Sequence, residues 1–119
     1  MASNPTITIP VDIAGTVFMA AGTPVPKLAD RENGVLKTDR EGRTLYEVPV
    51  LKRDASATRA ELIAVTVAGE PAGVDMGVLL HVTGLVAYVW GMNDRDGNLR
   101  YGVSFRAESL MAGPAKAAA

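Results

Sequence analysis

The stretch WGMNDRDGNLRYGVSFR, residues Trp90–Arg106, carries the strongest fold signal in this sequence. Asp96-Gly97 separates two runs of strand-forming residues, and such a pair is a strong signal for a tight β-hairpin. Beyond this turn the residues alternate with a period of two, as they do in a β-strand. One side of the alternation carries Leu99, Tyr101, Val103 and Phe105. The stretch therefore predicts a hairpin that rises from a core, with aromatic rings along its strands and a polar tip.

The segments that precede this hairpin also have the patterns of strands. Thr58–Gly69 and Leu45–Arg53 both alternate with a period of two. Val78–Trp90 is typical of a long strand, and Gly84 in its middle allows a bend. Thr16–Arg31 is a further extended segment that glycine and proline residues interrupt.

These segments predict an all-β fold. Five or so strands, with at most one helical turn at Glu70–Gly77, fit a small five-stranded antiparallel barrel or a sandwich. Pro49 lacks a backbone N–H, so its strand is expected to lie at an edge or to carry a bulge there. Residues 1–111 are expected to form one domain, and residues 112–119 a flexible C-terminal tail.

The composition limits the classes of function. The 119 residues suit one domain, and a net charge of −1 provides no global positive field toward nucleic acid. The absence of cysteine excludes a disulfide scaffold, a thiol nucleophile and cysteine-ligated metal sites. The N-terminus lacks the pattern of a signal peptide, and no apolar stretch reaches the roughly 20 residues of a membrane helix. We therefore expect a cytoplasmic protein without a membrane partner.

Signals for catalysis and metal binding are weak. His81 is the only histidine, and no Ser or Asp stands at a motif spacing from it. No glycine run matches a phosphate-binding or dinucleotide-binding loop. Asp94 and Asp96 resemble part of a calcium loop, but the later bidentate glutamate of that loop is missing. We expect neither an enzyme nor a bound metal or cofactor.

The second half of the chain resembles bacterial single-stranded DNA-binding proteins. The resemblance follows the pattern V-A-G…G-V-L-L-H-V-T-G-L…W…G-N-L-R-Y, and its carriers are Gly69, Gly77, Val82, Gly84, Trp90, Gly97, Arg100 and Tyr101. It implies an OB-like five-stranded barrel in which the long hairpin between the last two strands guides a DNA strand. Two departures are visible: the helix of that family is reduced to Glu70–Gly77, and the spacing from Trp90 to Arg100 is longer.

The whole chain is also similar to a family of small regulatory proteins of actinobacterial plasmids and integrative elements. The matching stretches are Ile9–Asp12 (IPVD), Asp30–Gly34 (DRENG), Lys37–Gly42 (KTDREG) and Gly102–Ala107 (GVSFRA). This resemblance covers most of the chain, but it implies little about mechanism.

Aromatic and basic side chains are the candidate contacts to a nucleic-acid strand. Trp90 and Tyr88 are candidate platforms for base stacking, and the alternative role for such rings is to pair across the hairpin and cap the core. Tyr101 and Phe105 share an alternating face with Val103, which favours a core position for both. The full set of candidates is Trp90, Tyr88, Tyr46, Arg95, Arg100, Arg106, Lys52, Arg53 and Arg59.

The sequence supports two functions. The first is binding of single-stranded nucleic acid, with DNA favoured, by an OB-like barrel from a plasmid or integrative element. The alternative is a non-catalytic regulatory or protein-interaction module, which the near-neutral charge favours. Aliphatic positions on both faces of Thr58–Gly69 and Val78–Val89 also predict a homo-oligomer, a dimer or larger.

Overall fold

The computed structural model describes residues 6–30 and 32–113, and this part of the chain is all-β. It contains eleven strands and no helix. Nine of the strands form one large sheet, and two form a small second sheet. The strands are β1 (Thr6–Pro10), β2 (Val17–Ala20), β3 (Val25–Pro26), β4 (Leu28–Asp30), β5 (Val35–Leu36), β6 (Leu45–Arg53), β7 (Glu61–Ala68), β8 (Leu79–Thr83), β9 (Val86–Asn93), β10 (Leu99–Arg106) and β11 (Ser109–Ala112).

The prediction of an all-β fold is confirmed, but the count of five strands is wrong. The segment Val78–Trp90 is divided into β8 and β9 because Gly84, with a φ of 65°, adopts a conformation that regular strands do not use. Thr16–Arg31 is divided into short strands where its glycine and prolines occur. β1 and β11 add strands outside the predicted segments, and Glu70–Gly77 forms turns in place of a helix.

The large sheet curls because the chain connects its distant strands. The strand order is β1-β9-β10-β7-β6-β2-β8-β11, with β3 paired to β6 outside this path. β7 and β10 run parallel, and the other pairs of this sheet are antiparallel. β8 and β9 stand near opposite ends of this strand order, but only two residues separate them in the chain. The sheet must therefore bend until these two strands meet. The result is a strongly curled half-barrel.

One long antiparallel hairpin runs through this sheet. β9 pairs with β10, and β8 pairs with β11. Arg106 lies opposite Val86 at the end of the first pair. Ser109, three residues after Arg106, lies opposite Thr83, which is three residues before Val86. The two strand pairs therefore share one register. Between them, the backbone N–H of Glu108 donates to the carbonyl oxygen of Thr83 at 2.9 Å.

The interior of the half-barrel is filled by alternate residues of its strands. Val48 and Val65 lie opposite each other on β6 and β7, and both are fully buried. The alternation predicted for Leu45–Arg53 and Thr58–Gly69 is confirmed, because every second residue of β6 and β7 points into the core. The buried cluster consists of Phe18, Ala20, Val48, Val50, Ile63, Val65, Val67, Val74, Leu80, Val82, Leu85, Ala107 and Leu110.

Pro49 lies where one edge of β6 is locally uncovered. β2 ends opposite Val50 and β3 begins opposite Glu47, so neither strand covers Pro49. On that side the carbonyl oxygen of Pro49 accepts a hydrogen bond from the N–H of Ala21 at 2.8 Å. Because both polar groups of a residue in an antiparallel ladder face one edge, the missing N–H of Pro49 removes no hydrogen bond to β7, and it leaves the pair of Pro49 and Ala21 with one hydrogen bond in place of two.

Three turns of similar sequence begin with an aspartate that accepts a hydrogen bond from the backbone N–H two residues later. The distances are 3.0, 2.9 and 2.9 Å at Asp30, Asp39 and Asp94. Each aspartate is followed by Arg and then by an acid, so D-R-[ED] marks all three turns. Hydrogen bonds lower the pKa of two of these carboxyls, chiefly from the side-chain amide of Asn33 at Asp30 and the backbone N–H of Arg43 at Asp39.

The C-terminal end of the described chain belongs to the sheet. Ala112, where the sequence predicts the start of a flexible tail, is the last residue of β11 and lies opposite Leu80. The N–H of Gly113 donates to the carbonyl oxygen of Leu79 at 2.7 Å, and residues 114–119 of the predicted tail lie outside the described residues. The described chain has no helix that is long and apolar enough to cross a bilayer.

Candidate nucleic-acid interface

β1, β9 and β10 form a three-stranded arm that ends in the turn Asp94–Asn98. β10 joins the half-barrel only at its end, where Phe105 and Arg106 pair with β7. From Leu99 to Ser104, β10 pairs with β9 alone among the described strands. The arm is the hairpin that the stretch around Asp96-Gly97 predicts, widened by β1. It has two faces, which we call the outer face, on the side of Trp90, and the inner face, on the opposite side.

The outer face collects four of the predicted candidates. Paired residues of neighbouring strands share a face, and every second residue along a strand returns to it. This register places on the outer face the side chains of Thr8, Pro10, Val86, Tyr88, Trp90, Arg100, Ser104 and Arg106. Tyr88, Trp90, Arg100 and Arg106 are therefore brought together, as the hypothesis of a nucleic-acid groove requires.

The indole ring of Trp90 lies across the backbone of Gly102. These two residues are opposite each other, and a Cβ at residue 102 would stand 2.7 Å from Cζ2 and 3.0 Å from Cε2 of Trp90. The indole Nε1 donates to the hydroxyl oxygen of Ser104 at 3.1 Å. Glycine and serine thus fix the ring against the sheet, and Trp90 remains partly exposed. The side of the ring turned away from Gly102 forms a flat aromatic surface.

Cations stand on both sides of this aromatic surface. Arg100, toward the tip, is 70% exposed, and its Nε lies 3.6 Å from Oδ2 of Asp94. Such an exposed ion pair contributes at most about 1 kcal/mol, so Arg100 can exchange this carboxylate for a phosphate. Arg106, toward the half-barrel, is exposed and has no ion pair with any described residue. Arg95 lies exposed in the turn at the tip.

The inner face of the arm is apolar. It carries Ile7, Ile9, Ala87, Val89, Leu99, Tyr101, Val103 and Phe105, with the polar Asn93 opposite Leu99 at the tip and no charged side chain among its described residues. The prediction that Tyr101 packs in the core is wrong, because 77% of it is exposed. Phe105, at the foot of the arm, packs partly buried against the core cluster, as predicted. The inner face is an extension of the core side of the sheet, but it lies beyond the region where other described strands cover that side.

A cavity of about 350 Å³ lies at the foot of the outer face. Its lining consists of Arg43, Ala68, Gly84, Val86, Tyr88, Arg106, Ala107 and Glu108. The side chain of Glu108 runs across Gly84, where a Cβ would stand 2.6 Å from its Cγ. The guanidinium of Arg43 is held by two acids, at 2.9 Å from Asp39 and 3.2 Å from Glu41. Arg106 and Glu108 form no ion pair with each other.

Lys52 lies inside the half-barrel and not at a binding surface. It shares one side of β6 with Val48 and Val50, it is only 9% exposed, and its Nζ is 2.6 Å from Oδ1 of Asp54. Asp54 also accepts a hydrogen bond from the hydroxyl of Thr16 at 3.4 Å. The hydrogen bond from Lys52 is the main cause that lowers the pKa of Asp54. This structure is incompatible with the expected contact between Lys52 and a phosphate.

Three further candidates lie apart from the outer face. Tyr46 is partly buried and packs against the core cluster. Arg53 and Arg59 are exposed; Arg53 is the last residue of β6, and Arg59 lies two residues before the start of β7. The cavity borders the other end of these two strands. Among the described residues, no strand pairing places these two arginines on the outer face of the arm.

Sequence reasoning missed Gly102, Ser104 and Glu108 as parts of this face. The alternation places Gly102 and Ser104 on the side of the arginines of β10, but it does not show what covers them. Counting outward from Asp96-Gly97 as a two-residue loop would have placed Trp90 opposite Val103, whereas the observed turn Asp94–Asn98 is centred on Asp96 and places Trp90 opposite Gly102. Nothing in the sequence marks Glu108, which reaches the cavity because Gly84 leaves room for it.

The single histidine, His81, lies on β8 of the half-barrel and outside the arm. His81 is half-buried on β8, opposite Met111, and its Nε2 lies 3.4 Å from the hydroxyl of Thr83. In residues 6–30 and 32–113, no group of three or more His, Asp or Glu side chains is placed to hold a metal ion.

Neither a scan against protein-family models nor a search of curated proteins finds a match for this chain.

Proposed function

We propose that this protein binds single-stranded nucleic acid, and DNA in particular, through the outer face of the arm. The observation that carries the proposal is the indole of Trp90, held across Gly102 between the exposed cations Arg100 and Arg106. Binding of single strands combines aromatic rings, on which any base can stack, with cations that follow the phosphates. Both are present on one face, within a few residues of each other.

The fold supports the same function. β2, β6 and β7 form an antiparallel meander, β10 runs parallel to β7, and β8 returns beside β2. This connectivity agrees with a Greek-key barrel of the OB type, a class that often binds oligonucleotides, extended here by short additional strands. The resemblance at Gly84, Trp90 and Gly97 to single-stranded DNA-binding proteins points the same way. A cytoplasmic role in the replication, transfer or maintenance of a plasmid or integrative element completes the proposal.

The alternative is a regulatory module that binds another protein. It is favoured by the inner face of the arm, where Leu99 and Tyr101 are 67% and 77% exposed with no charge beside them. An exposed apolar surface of this kind is typical of a site for a protein partner. The two functions use opposite faces of the arm, so variants of one face distinguish them.

The proposal includes self-association of the protein. Four apolar side chains on the outside of the half-barrel are directly paired in one row across β7, β6, β2 and β8: Leu62, Leu51, Met19 and Leu79. Leu62 is 68% exposed and Leu79 is 40% exposed. Covering such a row stabilises a complex by about 25 cal/mol per Å² of apolar surface removed from water. A second copy, whose identical row carries no charge, is the partner that fits.

One titration tests the main proposal. Fluorescence anisotropy at low salt would compare a labelled single strand with a duplex of the same sequence. We expect saturable binding of the single strand, weaker binding of the duplex, and a change in the emission of Trp90, the only tryptophan. Absence of binding to either oligonucleotide would favour the protein-interaction module.

A further inference from the structure

We propose that the cavity at the foot of the arm is a pocket for one guanine base of the bound strand. The inference rests on the proposed function and adds a base preference to it. It concerns the cavity next to Tyr88, which the stacking surface of Trp90 does not include. The shape of this cavity and two charged side chains in its lining, Arg106 and Glu108, favour that base.

The shape of the cavity suits a planar base. Its volume of about 350 Å³ lies at the lower end of the range of about 300–1,000 Å³ for small-ligand sites. Tyr88 and Val86 stand side by side along β9 and supply an aromatic and an aliphatic wall. Single-stranded bases bind proteins in this way, with their flat sides against rings and their edges against polar groups. Tyr88, in the lining of this cavity, precedes Trp90 by two residues on the same face of β9, so a strand that stacks a base on Trp90 is close enough to place a neighbouring base in the cavity.

The charges in the cavity select the base. The Glu108 carboxylate only accepts hydrogen bonds, and the Arg106 guanidinium only donates them. Guanine offers N1–H and N2–H donors on one edge and the O6 and N7 acceptors on another, so it can satisfy both side chains at once. Thymine offers a single N–H between two carbonyl oxygens, which repel a carboxylate. Since Arg106 and Glu108 are not paired with each other, both are available to a base.

The backbone of Glu108 is held by a hydrogen bond, and the glycine beside it leaves room for its side chain. Its backbone N–H is bonded to the carbonyl oxygen of Thr83, and its side chain runs across Gly84 into the cavity. A carboxylate near a polyanion weakens binding unless donors on the ligand compensate for the repulsion. Glu108 therefore acts against bases that lack such donors, and this repulsive contribution is a common basis of specificity.

The test compares two strands and two variants by fluorescence anisotropy at low salt. The probes are a labelled oligothymidylate of about 15 nucleotides, near the upper end of OB-fold site sizes, and the same strand with one central guanine. We expect the wild-type protein to bind the guanine-containing strand about tenfold more tightly. Glu108→Gln is expected to bring the ratio of the two dissociation constants close to one, because the amide cannot accept both guanine donors.

Glu61→Gln is the matched control. Glu61 is an exposed glutamate at the opposite end of β7 from Ala68, and we expect its variant to keep the wild-type ratio. Circular dichroism and melting temperature check that both variants fold. If the wild-type protein binds both strands equally, or if Glu108→Gln keeps the preference, the guanine pocket is refuted while single-strand binding stands. If neither strand binds, both the pocket and the proposed function are refuted.

Discussion

Gly102 lies directly opposite Trp90, and the indole ring occupies the space where a side chain at residue 102 would stand. The aromatic surface of the arm therefore depends on the absence of a side chain one strand away. Ser104 completes the arrangement, because its hydroxyl accepts the hydrogen bond of the indole N–H. This contact distinguishes a ring that is held in position from one that is merely exposed.

Replacing Gly102 is expected to displace the ring. In Gly102→Ala the new Cβ would stand 2.7 Å from Cζ2 of Trp90, so the indole must move. We expect a shift in the tryptophan emission and weaker binding of a single strand. Gly91→Ala is the control, because there a Cβ would meet its nearest atom, the carbonyl oxygen of Arg100, at an ordinary 3.8 Å. Equal effects of the two substitutions would mean that the indole is not held by Gly102.

Removing the ring is expected to weaken binding without unfolding the barrel. A base stacked on an aromatic side chain contributes about 1–3 kcal/mol, so Trp90→Ala should raise the dissociation constant for a single strand about tenfold or more. Tyr101→Ala removes an aromatic ring from the inner face of the same arm and should leave the affinity unchanged. Anisotropy titrations measure both variants. A loss with Tyr101→Ala alone would transfer the site to the inner face.

Charge on the outer face is expected to control the dependence of binding on salt. For single strands, each neutralised phosphate contributes about 0.7 to the slope of log K against log salt. Arg100→Gln should therefore reduce the slope by about this amount and leave base preference unchanged. Arg53→Gln, an equally conservative change at an exposed arginine that is not on the outer face, should leave the slope as it is. Titrations at several salt concentrations give both slopes, and an unchanged slope for Arg100→Gln would exclude a phosphate contact there.

Acid is expected to destabilise the fold through its aspartates. The pKa of Asp54, like those of Asp30 and Asp39, lies below the ordinary value of 3.8 in the folded protein. Their contribution to stability is therefore complete above that value and is lost as the pH falls through the lowered pKa. Melting temperatures from circular dichroism should be nearly constant from pH 7 to about 5 and should decrease below about 4. A melting temperature that rises in acid would contradict this assignment.

The ion pair of Lys52 and Asp54 allows a sharper version of the same experiment. Asp54→Asn leaves the largely buried side chain of Lys52 without the carboxylate of Asp54, which is itself half-exposed, and an unpaired charge with little access to water is unfavourable. We expect a lower melting temperature at neutral pH and a partial recovery when Lys52→Met is added. Neither variant should change the affinity for a single strand, since Lys52 does not reach the surface.

The apolar row on the half-barrel is expected to mediate self-association. Leu62→Gln should shift the mass measured by sedimentation toward that of a single chain, because it places an amide in the proposed contact. Leu99→Gln is a closely matched control, since the two leucines are 68% and 67% exposed but lie on different surfaces. A monomeric wild-type protein at high micromolar concentration would remove the prediction.

Local patterns predicted the strands whose neighbours are close in sequence. The bounds predicted for β6, Leu45–Arg53, agree with the structure, and the inward residues of β7 follow the predicted alternation. β1 was not predicted, because TITIP becomes a strand only through its pairing with β9, about eighty residues later. Alternation assigns residues to faces, but coverage by distant strands decides whether a face is core. This is why Tyr101 was misplaced.

The candidate site was also predicted correctly where local patterns determine it and wrongly where distant parts of the chain do. Trp90, Arg100 and Arg106 were identified correctly as sharing a region, because turn chemistry and alternation fix the hairpin. Lys52 was misassigned although the sequence contained the evidence, since it shares the period-two face of Val48 and Val50. Glu108 could not have been found, because its position depends on the interrupted ladder at residue 84.

The single register that runs from Leu80–Ala112 to Asn93–Leu99 limits how the arm can vary in length. Removing one residue from β10 would turn over every later side chain of the hairpin, so the buried Leu110 of β11 would point outward. Only insertions or deletions of two residues in each strand keep both the stacking ring and the barrel wall in place. Among related sequences, the reach of the arm should therefore change in steps of about 7 Å.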